Sequence, residues 1–212
     1  MNQGNNARRL LESIFAAGVA RVDPAGLVRE HLIESAGSLQ VRIGTKRTVR
    51  FDARRIWLVA AGKAAPAMAA EASRIVGAKL AAGVVAGPRR PRRFLPRVLT
   101  VFSAGHPLPN SASLAAGRAV WRMLASARAK DGVLLLLSGG ASSHVVLPAA
   151  GIRLHDKIRT SELLLGSGAT IAEINAVRKH LSRLKGGGLA RRAGRARVVC
   201  LYLSDAIGGS PA

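Results

Sequence analysis

"GVLLLLSGG", residues 132–140, is apolar at every position from Val133 to Leu137 and then turns at once to Ser138, Gly139 and Gly140. A strand with one wet face alternates apolar and polar residues, whereas an unbroken apolar run belongs to a strand covered on both sides. Four more runs share this character: "IWLVAAG" (56–62), "GVVAG" (83–87), "RVLTVFSAG" (97–105) and "RVVCLYLSD" (197–205). Helical stretches fit between and around them at 63–77, 111–129, 155–166, 170–185 and 187–193. Strands that alternate with helices imply parallel pairing, because a parallel partner is reached only through a crossover. The pattern predicts an α/β fold of Rossmann-like, doubly wound type: a mainly parallel sheet with helices on both faces.

Ahead of these runs, two helices open the chain. "ARRLLESIFAAGVA" (7–20) reads as amphipathic, with Leu10, Leu11, Ile14 and Phe15 on one side. Asp23-Pro24 has the form of an N-cap followed by a first-turn proline. "LQVRIGTKRTVRF" (39–51) alternates on both sides of Gly44-Thr45 and predicts a hairpin. No internal repeat and no Ser/Gly/Pro linker divides the chain, so residues 1–212 read as one domain.

Composition narrows the partners. Thirty-three Lys and Arg against eleven Asp and Glu leave a formal charge of +22, which favours anionic partners such as phosphorylated metabolites or nucleic acid. The densest basic run, "GPRRPRRFLPR" (87–97), is broken by prolines and reads first as a surface loop. Without zinc-finger spacing or an RNP-like aromatic pattern, a basic nucleic-acid-binding module is the runner-up reading. One cysteine, Cys200, excludes a disulfide framework and is expected as a small buried strand residue. No apolar run approaches the roughly 20 residues needed to span a bilayer, so a cytoplasmic protein without a membrane partner is expected.

In doubly wound sheets the ligand lies outside the carboxyl ends of the strands. Here those ends carry Gly62-Lys63, Gly105-His106-Pro107, Ser138-Gly139-Gly140 and Ser204-Asp205. Small residues allow a ligand close to the backbone, and free N–H groups at a helix start suit an anion. Lys63 follows a buried strand with no packing task, but the Walker A spacing is absent. Ser138 lacks the G-x-S-x-G elbow of a hydrolase nucleophile, and "GSGATI" lacks the third glycine of a dinucleotide fingerprint, which weakens an oxidoreductase reading. His106 shares no metal-ligand spacing with His144, His155 or His180. In "ATIAEINAVRKHLSRLKGGGLA" (169–190), Thr170 and Glu173 form a capping-box signature. Ile174, Val177, Leu181 and Leu184 make an apolar stripe; Asn175, Arg178, Lys179 and Ser182 project from the other side, with Lys185 at its edge before Gly186 and Gly187.

"AAGKAAPAMA", "SAGHPLPN", "LLLLSGGASS", "GATIAEINAVRKHLSRLKGGGLA" and "VVCLYLSDAIGGSP" occur here in one order. In this the chain resembles the glycerate 2-kinase family, the two-domain MOFRL-type enzymes sometimes labelled hydroxypyruvate reductases. The resemblance covers nearly the whole chain and corresponds to the family's N-terminal, Rossmann-like domain, the C-terminal domain being absent. It implies transfer of the ATP γ-phosphoryl group to the 2-hydroxyl of D-glycerate, with Mg²⁺. By resemblance, Lys63 contacts the transferring phosphate or the substrate, and Asp205 holds Mg²⁺ or orients the attacking hydroxyl. Gly62, His106, Ser138, Gly139, Gly140, Asn175, Arg178, Lys179, Lys185, Gly186, Gly187 and Ser204 are the implied substrate- or nucleotide-binding set. The family usually reads Ser-Gly-Gly-Gly-Ser where Ala141 and Ser142 stand, and acidic residues where Gly209 and Ser210 stand. The missing half is expected from a separate C-terminal-domain chain, or a homodimer forms; a hydroxypyruvate-linked oxidoreductase is the third reading.

Overall fold

The computed structural model describes residues 3–35, 37–44, 47–88 and 95–204. The chain opens with α1 (Gln3–Arg21) and α2 (Pro24–His31), followed by β1 (Leu32–Ser35), β2 (Ser38–Ile43) and β3 (Arg47–Arg50). Then come β4 (Ile56–Ala61), α3 (Ala65–Val76), β5 (Leu80–Gly87), β6 (Leu99–Ser103), α4 (Ser111–Leu124) and β7 (Gly132–Ser138). The remainder is α5 (Ala141–His144), α6 (Leu154–Gly166), α7 (Ile171–His180), α8 (Gly188–Ala193) and β8 (Arg197–Leu203).

β4 to β8 form one five-stranded sheet in the order β6-β5-β4-β7-β8, with every neighbouring pair parallel. The first three strands wind outward from β4 in one direction, and β7 and β8 wind in the other. That reversal makes the gap between the carboxyl ends of β4 and β7 a topological switch point. β1 to β3 make a separate antiparallel sheet, in which β2 and β3 are the expected hairpin and β1 an addition to it.

The apolar runs do what their two-sided character requires. Along β4, Ile56, Leu58 and Ala60 enter a core with α2, α3 and the antiparallel sheet, while Trp57 and Val59 enter a second core with α4 and α8. β7 divides likewise: Leu134 and Leu136 to the first core, Val133 and Leu135 to the second. At the amino end of β7, buried Asp131 accepts hydrogen bonds from the Trp57 indole (3.1 Å), the Arg55 guanidinium and the Arg128 backbone N–H.

Three expectations are corrected. Cys200 is exposed, as is Tyr202 two positions on, because β8 is the edge strand of the sheet. The helix expected over 170–185 ends at His180, with Leu181 as its C-cap; Ser182 then bridges to Pro148. Of its apolar stripe, Ile174 and Leu184 are buried but Val177 is 39% exposed. The amphipathic first helix forms, yet Leu10, Leu11, Ile14 and Phe15 are all 60% exposed or more, so its apolar side is left largely uncovered by the described residues.

Candidate active site at the switch point

β4 ends at Ala61, and the chain must turn sharply into α3 beneath the loop that follows β7. Gly62 makes the turn at φ +122°, a conformation that side chains other than glycine rarely adopt. A Cβ at Gly62 would also collide with the Ser138 backbone and side chain. The two loops are stitched together: the Lys63 N–H donates to the Gly139 carbonyl (2.9 Å), and the Ala64 N–H donates to Ser138 Oγ (3.1 Å). Ser138 is buried and spent on this bond, so its role is to tie β7 to the start of α3. The Lys63 side chain remains exposed at the rim.

Gly140, at φ +84°, turns the chain into α5. It does so pressed against two imidazoles: a Cβ there would lie 3.0 Å from ring atoms of both His106 and His144. The rings of His106 and His144 stand 5.4 Å apart between centroids. The loop bearing His106 is held by the Ser143 hydroxyl, which donates to the Pro107 carbonyl at 2.6 Å. His144 is fully buried, and neither ring nitrogen has a hydrogen-bond partner of good geometry. Burial, and then the charges of His106 and Lys63, push its pKa below the usual imidazole value, with the nearby Gly140 backbone acting in the opposite sense. His144 is therefore neutral at pH 7 and serves as a wall behind the glycine loop. No spacing rule connects residues 106 and 144; they meet because the carboxyl ends of the parallel strands β6 and β7 lie on the same side of the sheet.

The second part of the site comes from α6, α7 and the turn after them. Lys185 donates to Ser142 Oγ at 2.6 Å, which fixes it to the helix that continues the Ser138 loop. Arg178 is half-buried, and its Nε is buried with no hydrogen-bond partner. Lys157, on α6, is 95% removed from solvent (5% exposed) and donates to the Leu181 carbonyl at 3.3 Å. Among the described residues, no carboxylate pairs with Lys157, Arg178, Lys179 or Lys185, although most other acidic side chains form ion pairs elsewhere. Burial, then the charges of neighbouring cations, hold Lys157 and Lys185 down at about 8. Beside Lys185, a cavity of about 230 Å³ opens between the sheet and α8, with Val59, Leu137, Val145 and Leu189 as walls and Ser142 and Gly187 at its edge.

The strand-end geometry therefore gathers Gly62, Lys63, His106, Ser138, Gly139 and Gly140 at one place, and Lys185 joins them through Ser142. Arg178 and Lys179 act on Lys185 electrostatically from α7, whose half-buried Asn175 lies one turn before them. Gly186 and Gly187 form the exposed left-handed turn (φ +56° and +80°) that reverses the chain into α8. Ser204 stands at the carboxyl end of β8, while Asp205 lies outside the described residues, as do Arg89, Arg90, Arg92 and Arg93 of the basic run. Lys157 is the residue that pattern reading misses: in "LHDKIRTSE" it looks like one more surface charge.

Residues 10–212 match the family described as "Domain of unknown function (DUF4147)". The chain is 42% identical over 154 residues to the D-glycerate 2-kinase of Thermotoga maritima, covering 73% of this chain and 37% of that protein. It is 37% identical over 209 residues to the glycerate kinase of Danio rerio, covering 92% of this chain and 41% of that one. In structure it is similar to the PH0495 protein of Pyrococcus horikoshii OT3, with a TM-score of 0.83 and 31% identity over 96% of this chain and 45% of that one. The chain thus spans about two fifths of the length of these curated relatives.

Proposed function

The chain belongs to the DUF4147 family, and from its similarity to glycerate kinases we propose that it forms one wall of the active site for ATP-dependent phosphorylation of the 2-hydroxyl of D-glycerate, in the cytoplasm. The observation that carries this reading is the switch point itself. A glycine-lined loop with tied-down backbone stands there beside one exposed lysine and a group of cations without carboxylate partners. Phosphoryl transfer asks a protein mainly for positioning and for positive charge around oxygens that become more negative. In the step, the glycerate 2-oxygen bonds to the γ-phosphorus as the bond to the β–γ bridging oxygen breaks; ADP leaves with that oxygen and its electron pair, and the hydroxyl proton passes to water.

Lys63 faces the transferring group, and the Ser138–Gly140 loop lets the phosphate chain approach the backbone. Lys185, held by Ser142, stands between that loop and the α7 cations. Mg²⁺ would accompany the nucleotide phosphates. Among the described residues no group of three His, Cys, Asp or Glu side chains gathers to hold a metal; Asp205, which lies outside the described residues, is proposed as the Mg²⁺ ligand on the family resemblance alone. The matched region is about two fifths of each relative's length, and the opposite wall of the cleft is assigned to a second domain of the kind they have room for. Calorimetry on the 212-residue chain with Mg-ATP tests the reading: binding is expected, with at least a tenfold loss in Lys63→Ala. No heat from the chain alone, and none in the presence of a relative's second domain, would overturn it.

A further inference from the structure

The glycine loop accounts for a phosphate chain, but it does not account for Lys157. A lysine withdrawn from water is costly unless its charge is compensated. Lys157 is 5% exposed, and the one hydrogen bond of its ammonium among the described residues is to the Leu181 carbonyl at 3.3 Å. Arg178, three positions before Leu181, has a buried Nε with no partner among the described residues, and the charges of Arg178 and Lys157 are both felt at Lys185. Three cations crowd together with no acidic side chain among the described residues to offset them. A fold that needed only packing here would place leucine or methionine at 157.

Resting on the kinase reading above, we infer that Lys157, Arg178 and Lys185 enclose a subsite for one small carboxylate, the acid end of the substrate, separate from the phosphate loop. The location supports a carboxylate over the nucleotide's phosphates. The kinase reading gives the phosphates the Ser138–Gly140 turn, whereas the three cations come from α6, α7 and the turn after α7, with Lys157 too far withdrawn from solvent for a polyphosphate. The Lys185–Ser142 bond places the subsite at the flank of the loop. A hydroxy acid held there by its carboxylate presents its hydroxyl toward Lys63. Lys157 acts as a binding residue and Arg178 supplies the directional N–H.

The test separates this role from a purely structural one, in which Lys157 caps the carbonyl end of α7. Calorimetry is run on the 212-residue chain and on Lys157→Met, with D-glycerate and with Mg-ATP separately, and melting temperatures are recorded without ligand. The expected result is a tenfold or greater loss of D-glycerate affinity, unchanged Mg-ATP affinity, and a melting temperature equal to or above that of the parent chain. Unchanged D-glycerate affinity with a lower melting temperature would make Lys157 a cap and sink the subsite. Weaker Mg-ATP binding with D-glycerate unaffected would give the cations to the nucleotide and sink the carboxylate assignment. A parent chain that binds Mg-ATP but not D-glycerate overturns the subsite alone; one that binds neither, also with a relative's second domain present, overturns the kinase reading as well. Should Lys157→Met fail to fold, Arg178→Met is read by the same pair of affinities.

Discussion

At the scale of the residue, Gly62 and Lys157 show two ways in which this site works against stability. Gly62 holds a backbone angle that no side chain suits, directly under Ser138. Gly62→Ala is expected to cost more than about 1 kcal/mol, since the new methyl meets both the strained φ and the Ser138 backbone. Chemical denaturation measures that cost, and loss of Mg-ATP binding is expected with it. Lys157 and Lys185 are held at about 8, below the ordinary 10.5, by burial and by neighbouring cations. The sign of the linkage follows: below pH 8 both states carry the charge and the native state bears its full burden. Between about 8 and 10.5 the native state sheds protons that the unfolded chain keeps, so stability rises with pH across that window. Urea midpoints for the ligand-free chain should therefore climb from pH 8 to pH 10, with a shallower climb in Lys157→Met. D-Glycerate affinity should move the opposite way, falling as pH passes 8, because the neutral amines no longer attract a carboxylate.

At the scale of the element, helix ends were legible in the sequence and helix faces were less so. Asp23 caps α2 through the Gly26 N–H at 2.8 Å, and the Thr170–Glu173 box closes on itself as the spacing implies. These devices are local, so the sequence contains them whole. The inner face of α7 is not local. Arg178 is half-buried and Val177 exposed, and the chain leaves the helix at Leu181, after which Ser182 bridges to Pro148, more than thirty positions earlier. Likewise His144 reaches His106 only through the order of the strands. Another long-range tie can be tested directly. Glu71 on α3 accepts from Arg74 on its own helix and from Arg29 on α2, and the two guanidiniums hold its carboxyl down at about 2. Its contribution is complete above the ordinary value of 4.5 and is lost as pH falls toward 2. Glu71→Gln is expected to lower the melting temperature by a few degrees at pH 7, with the gap to the parent closing by pH 2 to 3. A gap that stayed constant with pH would show that packing, not charge, ties α2 to α3.

At the scale of the whole molecule, the doubly wound sheet could be read from the sequence because two-sided burial leaves a continuous apolar run in each inner strand. The strand order could not, yet it decides that β4 and β7 share the switch point and that β8 is left at the edge. That edge and the outer helices leave much apolar surface uncovered. Besides the stripe of α1, Leu163 and Leu165 on α6 and Ile171 on α7 are 58–67% exposed. Exposed apolar surface such as the α1 stripe marks places where another surface docks, and the relatives have more than half their length beyond the matched region. The chain by itself is therefore expected to self-associate through α1 at micromolar concentration, despite its charge of +22. Sedimentation velocity at rising protein concentration measures this. Ile14→Glu with Phe15→Lys should return a monomer without moving the melting temperature, because neither side chain packs against the core. Self-association that survives the α1 changes but vanishes with Leu163→Glu and Leu165→Lys would move the contact to α6. Association that weakens with salt while ignoring both pairs of substitutions would show that charge, not apolar surface, draws the copies together.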